Sequence, residues 1–160
     1  MNLVIGMADC QVTSDPADVL VTYALGSCIG VSIFDPVARV GGLLHFMLPK
    51  APAELAQTGK SPYMYADSGI PMMFRQAYEK GAQKRRLQVR VAGGAQILDD
   101  KGVFNIGQRN CEAMKKIFWR AGVQIQAGDT GGRSARTMRF DLASGRIFLR
   151  SPDQPAEREL

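Results

Sequence analysis

The densest apolar run lies between residues 19 and 49, VLVTYALGSCIGVSIFDPVARVGGLLHFMLP, and its spacing predicts three consecutive β-strands. Val19–Leu25 is apolar and β-rich, with Thr22 and Tyr23 inside it. Residues 29–34 alternate Ile29, Val31 and Ile33 against Gly30, Ser32 and Phe34. Residues 40–48 are apolar again, after Asp35-Pro36-Val37-Ala38, where the proline ring pre-sets a turn. A hairpin symmetric about Pro36 and Val37 puts Cys28 directly opposite His45. It gathers Ile29, Val31, Ile33, Val40 and Leu44 on one face, a core face, and leaves Cys28 and His45 on the other. A slip of one residue would reverse every side chain, and Gly41-Gly42 is where a bulge would cause one.

Helical spacing appears twice. Residues 68–80 carry Ile70, Met73, Phe74 and Ala77 on one stripe, with Asp67 or Ser68 as cap, Pro71 in the first turn and Gly81 after the end. Residues 105–122 form the second helix, with Asn105 or Asn110 capping its start and Gly122 closing it. Its apolar stripe is Cys111, Met114, Ile117, Phe118 and Ala121, so Cys111 reads as a packing residue, while Trp119 lies off the stripe. Further strands are expected at 3–5, as an edge strand, at 87–92 and at 123–127, and residues 136–142 and 146–150 read as a hairpin about Ala143-Ser144-Gly145. Residues 13–18 and 50–65 read as loops, the second placed just after His45, where it could wall a cleft. Gly93-Gly94-Ala95 breaks a strand and permits positive φ or close backbone approach, with no phosphate-binding fingerprint around it. Residues 128–132 read as a tight turn, and 151–160 as a polar, disordered tail. The expected fold is α+β: one domain over residues 1–150, with a central, mostly antiparallel β core flanked by helices.

Composition narrows the class. A chain of 160 residues with 46% hydrophobic content supports one domain with its own core. The net charge of +5 suits anionic partners: nucleic acid, a membrane surface or acidic protein. A nucleic-acid reading has only that charge behind it, since no binding motif or aromatic stacking platform accompanies it. The densest cluster, Lys80, Lys84, Arg85, Arg86 and Arg90, reads as a solvated helix end and loop. Cys10, Cys28 and Cys111 show no metal-ligand spacing and leave an odd thiol, which suits a reducing cytosol; no metal or cofactor is expected. With no signal-peptide pattern and no long apolar run, the chain is expected to be cytoplasmic, meeting membranes only through a partner.

The chemistry concentrates at Cys28 and His45, the only histidine. A free thiol has a pKa near ~8.5, and an adjacent imidazole can take its proton. The imidazole then needs its second nitrogen held, and Thr22 on the preceding strand is the nearest candidate. Backbone N–H groups at the Gly26-Ser27-Cys28 bend could receive a tetrahedral oxyanion. The opposing reading is that Cys28 is a small buried hydrophobe and no more. Ser27 is the poorer nucleophile, because its side chain is expected to face the other way.

Several segments together resemble the CheD family of chemoreceptor glutamine deamidases. They are Thr22-Tyr23-Ala24-Leu25-Gly26-Ser27-Cys28, Asp35-Pro36, Gly42-Leu43-Leu44-His45-Phe46-Met47-Leu48-Pro49, Tyr65-Ala66-Asp67, Gly93-Gly94-Ala95, Ile106-Gly107-Gln108-Arg109-Asn110 and Asp129-Thr130-Gly131-Gly132. The resemblance spans nearly the whole chain. It implies a cysteine-dependent hydrolysis of glutamine side chains on bacterial chemoreceptors, with Cys28 as nucleophile, His45 as base and Thr22 completing a triad. It also implies the receptor cytoplasmic helices as substrate and, in some members, action on receptor methyl esters or binding of a CheC-type phosphatase. The alternative within the family is a module that regulates such a phosphatase with little catalysis of its own. Ala92 and Ala135 depart from the family pattern, both away from the triad positions.

Overall fold

The computed structural model describes residues 1–97 and 105–160. In chain order its elements are β1 (Asn2–Val4), β2 (Asp9–Thr13), β3 (Val19–Leu25), β4 (Ile29–Asp35), β5 (Val40–Phe46), α1 (Leu55–Thr58) and α2 (Ala66–Glu79). They continue with β6 (Gln88–Gly93), α3 (Ile106–Ala121), β7 (Ile125–Thr130), β8 (Arg136–Asp141), β9 (Arg146–Ser151) and β10 (Gln154–Glu159). The strands form two five-stranded sheets, ordered β1-β3-β8-β9-β10 and β2-β5-β4-β6-β7. Among the described strands, β1–β3 and β6–β7 pair in parallel and the other pairs are antiparallel. The α+β class with a mostly antiparallel, two-layer β core is therefore the observed one.

Strand alternation builds two cores. The odd-numbered β4 residues Ile29, Val31 and Ile33 join Val40, Leu44 and Phe46 under α2 and α3, which contribute Ile70, Met73, Phe74, Met114 and Phe118. The opposite face of the same sheet offers Cys28, Phe34, Leu43 and Ala92 to Leu20, Leu25, Met138 and Phe140 of the other sheet. Phe34 and Phe140 meet edge to face at 5.8 Å across that gap. Because β4 and β5 are covered on both faces, every residue in them is buried.

The β4–β5 register corrects the expected one by two residues. The pairs are Ile29↔Phe46 and Gly30↔His45, so Cys28 is not opposite His45. The turn is the cause. Asp35 Oδ1 accepts the N–H groups of Val37 (2.9 Å) and Ala38 (3.0 Å), and the Asp35 carbonyl accepts from Arg39 N. That closes a four-residue loop, with Arg39 at φ +57°, rather than a two-residue turn. A shift of two leaves the faces unchanged, so Cys28 and His45 still share one. No bulge forms at Gly41-Gly42.

Other expectations also change. The tail expected to be disordered contains β10, paired with β9; Arg139–Glu157, Arg146–Glu159 and Arg158–Asp129 ion pairs accompany it. Asp9–Thr13, not anticipated, pairs with β5 as β2. The 50–65 loop includes α1 and a 3-10 turn at Pro62–Met64. Asp129 and Thr130 end β7 rather than forming a free turn. Asn105 sits at the α3 start without a side-chain cap bond, and Asn110 lies inside the helix. Among the described residues no helix is long and apolar enough to cross a membrane.

Candidate active site

Thr22 and His45 come from different sheets and meet in the core between them. Thr22 Oγ1 donates its one proton to the Ile5 carbonyl at 2.7 Å. It also lies 2.7 Å from His45 Nδ1. A carbonyl oxygen can only accept, so the hydroxyl must accept from the ring. The proton therefore sits on Nδ1 and Nε2 keeps its lone pair. Among the described residues that buried Nε2 has no hydrogen-bond partner. His45 is 1% exposed, and burial pushes its pKa down to about 4, so the ring is neutral near pH 7.

Cys28 immediately precedes β4, two residues before Gly30, the residue paired with His45. Diagonal neighbours on one face of a sheet lie within reach of side chains of this length. Met138 and Leu25 cover Gly30 on that face, so that a Cβ there would sit 2.9 Å from Met138 Sδ and 3.0 Å from Leu25 Cδ1. Cys28 is 9% exposed, and burial raises its thiol pKa, partly offset by a hydrogen bond from its own backbone N–H. The resting pair is thus a neutral thiol and a neutral imidazole.

The backbone holds the Gly26-Ser27-Cys28 bend in place. Gly94 N donates to the Cys28 carbonyl at 2.9 Å, and Ala95 N donates to the Gly26 carbonyl at 2.8 Å. Gly93, at φ +114°, makes this approach possible, since a Cβ there would lie 2.2 Å from the Cys28 carbonyl oxygen. Among the described residues, the Ser27 and Cys28 N–H groups donate to no backbone carbonyl. Ala24, just upstream, takes the left-handed conformation at φ +57°, where β3 has a register shift.

Asn110 is the residue that sequence reasoning missed. It is fully buried on α3, and its two Nδ2 protons go to the Ser27 carbonyl (2.9 Å) and the Met47 carbonyl (2.9 Å). One amide thus ties the Cys28 bend to the segment just after His45. The signal was present: Gly107, Asn110, Met114 and Phe118 follow helical spacing, and a polar residue stands among apolar ones.

A cavity of about 610 Å³ opens onto Cys28, Gly26 and Ser27, with Ile106 and Cys111 of α3 on its far side. Cys111, expected to be a packing residue, is half-buried and lines this cavity while also touching the helix-side core. Burial raises its thiol, while a hydrogen bond to Thr130 and the Lys115 and Arg136 charges lower it. Cys10, by contrast, is pushed up to about 12 by burial and by Asp9. Among the described residues no group of three or more His, Cys, Asp or Glu side chains could hold a metal.

The family model for CheD, chemotactic sensory transduction, matches residues 47–151. A probable chemoreceptor glutamine deamidase CheD from Solibacter usitatus is 46% identical over 156 residues, covering 98% of this chain and 92% of its own. The chain belongs to the CheD family. A second CheD relative, from Syntrophus aciditrophicus, is 45% identical over 159 residues and covers 99% of each chain. The chemoreceptor glutamine deamidase CheD of Thermotoga maritima is 39% identical over 150 residues, covering 94% of this chain and 92% of its own. These alignments extend over the CheD segment that precedes the family-model match and carries Thr22, Cys28 and His45.

Proposed function

We propose that this CheD-family protein is a cysteine-dependent amidohydrolase that converts selected chemoreceptor glutamines to glutamate, with Cys28, His45 and Thr22 as its triad. The relatives' names supply the substrate class. The observation that carries the chemistry is the orphaned Nε2 of His45, its tautomer fixed from behind by Thr22 and the Ile5 carbonyl. A phosphatase-binding module without catalysis would have no use for that arrangement, and the relatives' names do not favour it.

The glutamine side chain enters the cavity beside Cys28. As Cys28 Sγ attacks the amide carbon, its proton passes to His45 Nε2 and a C–S bond forms. The oxyanion is received by the Cys28 and Ser27 N–H groups at the bend that includes Gly26. His45 returns the proton to the amide nitrogen, the C–N bond breaks and ammonia leaves. Water then gives a proton to His45 and attacks the thioester; the C–S bond breaks and Cys28 takes the proton back. One water is consumed, and glutamine becomes glutamate plus ammonia. Because the resting pair is neutral, proton transfer accompanies attack rather than preceding it.

The protein acts on the cytoplasmic part of membrane-bound receptors and is recruited there by its substrate. The test is ammonia release from a receptor cytoplasmic fragment. Wild type releases it and Cys28→Ala does not. Equal release by both would sink the mechanism.

A further inference from the structure

Two observations away from the Cys28 cavity point to one surface. The first is charge. Residues 66–86 and 105–122, which contain α2 and α3, carry nine Lys or Arg and three Asp or Glu. The whole chain has 20 and 15, net +5, so this helical layer holds the entire positive excess. The second is shape. A groove of about 290 Å³ runs between α2 and α3, floored by Ile70, Phe74, Ile117 and Phe118 and rimmed by Arg75 and Lys84. Both rim side chains are exposed, and among the described residues neither forms an ion pair. No carboxylate lines the groove.

Helix α3 joins this groove to the candidate active site. Cys111 lines the cavity at Cys28, and Phe118 and Ala121 line the groove. Cys111 and Phe118 are two helical turns apart on the same face, and at 1.5 Å per residue the groove lies roughly 10–15 Å along the axis from Cys111. A substrate protein reaching the cavity passes close to it.

We propose that the α2–α3 groove is an exosite for the substrate protein, taking a carboxylate-bearing segment with a bulky apolar side chain. This rests on the deamidase reading. With Arg75 and Lys84 on its rim and no carboxylate of its own, the groove selects an anionic segment of the partner. The cationic rim attracts that charge, and the apolar floor provides the buried contact that distinguishes it from a diffuse ionic patch. Glutamine in a short peptide reaches Cys28 without touching the groove.

The experiment compares wild type with Arg75→Glu/Lys84→Glu on two substrates, a receptor cytoplasmic fragment and the tripeptide Gly-Gln-Gly. The groove predicts a KM for the fragment raised at least ~10-fold, kcat within twofold, and tripeptide turnover unchanged. Arg75→Lys/Lys84→Arg, which keeps both charges, should restore the wild-type KM. A fragment KM within twofold of wild type overturns the proposal, as does an equal loss on both substrates. Binding is read separately in the Cys28→Ala background, using Trp119, the sole tryptophan and 81% exposed on α3, as fluorescence reporter. Equal fragment affinity with and without the charge reversal overturns the exosite even if no substrate is turned over, while inactive wild type with charge-dependent binding removes the deamidase reading alone. Binding of a DNA duplex or an anionic vesicle that the reversal abolishes, with fragment binding unchanged, overturns it in favour of that anion.

Discussion

Thr22 Oγ1 and His45 Nδ1 lie 2.7 Å apart across the gap between the two sheets, and the Ile5 carbonyl behind Thr22 decides which of them donates. That decision makes Nε2 the basic nitrogen. His45 is the only histidine, so its two ring nitrogens give a single pair of nitrogen NMR signals. The expected pattern at pH 7 is a protonated Nδ1 and an unprotonated Nε2. Thr22→Val keeps the shape, loses the hydroxyl and strands both the Ile5 carbonyl and the ring N–H. It should lower kcat by roughly 10–10³-fold and let the other tautomer appear, while Thr22→Ser stays within about tenfold of wild type.

The neutral state of His45 has consequences for pH. Its folded pKa of about 4 lies below the ordinary value near ~6.5. Between those values the unfolded chain binds a proton that the folded chain does not. Stability therefore falls as pH drops from about 6.5 to about 4 and levels off, for this group, below that. The full effect is about 3 kcal/mol, at ~1.4 kcal/mol per pH unit. Urea midpoints across this range should follow that slope in wild type and lose most of it in His45→Gln. The acid limb of kcat/KM should fall nearer pH 4 than 6.5.

Asp35 predicts a second, lower window. Burial alone would raise its carboxyl, but Arg86 and the N–H groups of Ala38, Gln83 and Val37 outweigh that and hold it at about 2. The stability this provides is present above the ordinary pKa near ~3.9 and is lost as pH falls from about 4 to about 2. The same contacts pin the β4–β5 loop to the segment between α2 and β6. Asp35→Ala leaves the Arg86 guanidinium and several N–H groups unpaired and should cost roughly 2–4 kcal/mol by denaturant unfolding. Arg86 thus has a structural task that the other basic residues of its cluster do not share.

Asn110 holds the Ser27 and Met47 carbonyls with one amide, so its loss should loosen the Cys28 bend relative to the segment after His45. Asn110→Asp keeps the volume but sets oxygen against both carbonyls. It should reduce kcat by about 10–10²-fold with little change in KM for a short peptide, because misplacement by about 1 Å is enough. A change in KM alone would argue against this positioning role.

Much of this site was legible because face is a more robust property than register. Alternation at Ile29, Val31 and Ile33 fixed which side of β4 faces the helices, and an error of two in the turn left Cys28 and His45 on the other. The turn itself was not legible, since Asp35-Pro36 fits both a two-residue and a four-residue loop and only the Asp35 side-chain bonds choose between them. Strand β10 escaped notice because it lies at a sheet edge, where backbone pairing and ion pairs replace an apolar face. Strand β2, at the edge of the other sheet, turns just Cys10 and Val12 to the core, too short an alternation to read. The Thr22–His45 contact was suggested by chain order, but the Ile5 carbonyl that sets its direction lies 17 residues upstream and has no side-chain signature. Cys111 read as core because its stripe is apolar, yet it sits where α3 meets the cavity.

The most direct measurement is peptide mass spectrometry of a receptor cytoplasmic fragment incubated in heavy-oxygen water with wild type or with Cys28→Ala. Wild type is expected to give glutamate with one solvent oxygen at defined glutamine positions, and the variant to leave glutamine unchanged. Conversion at the same positions by folded Cys28→Ala would contradict the mechanism.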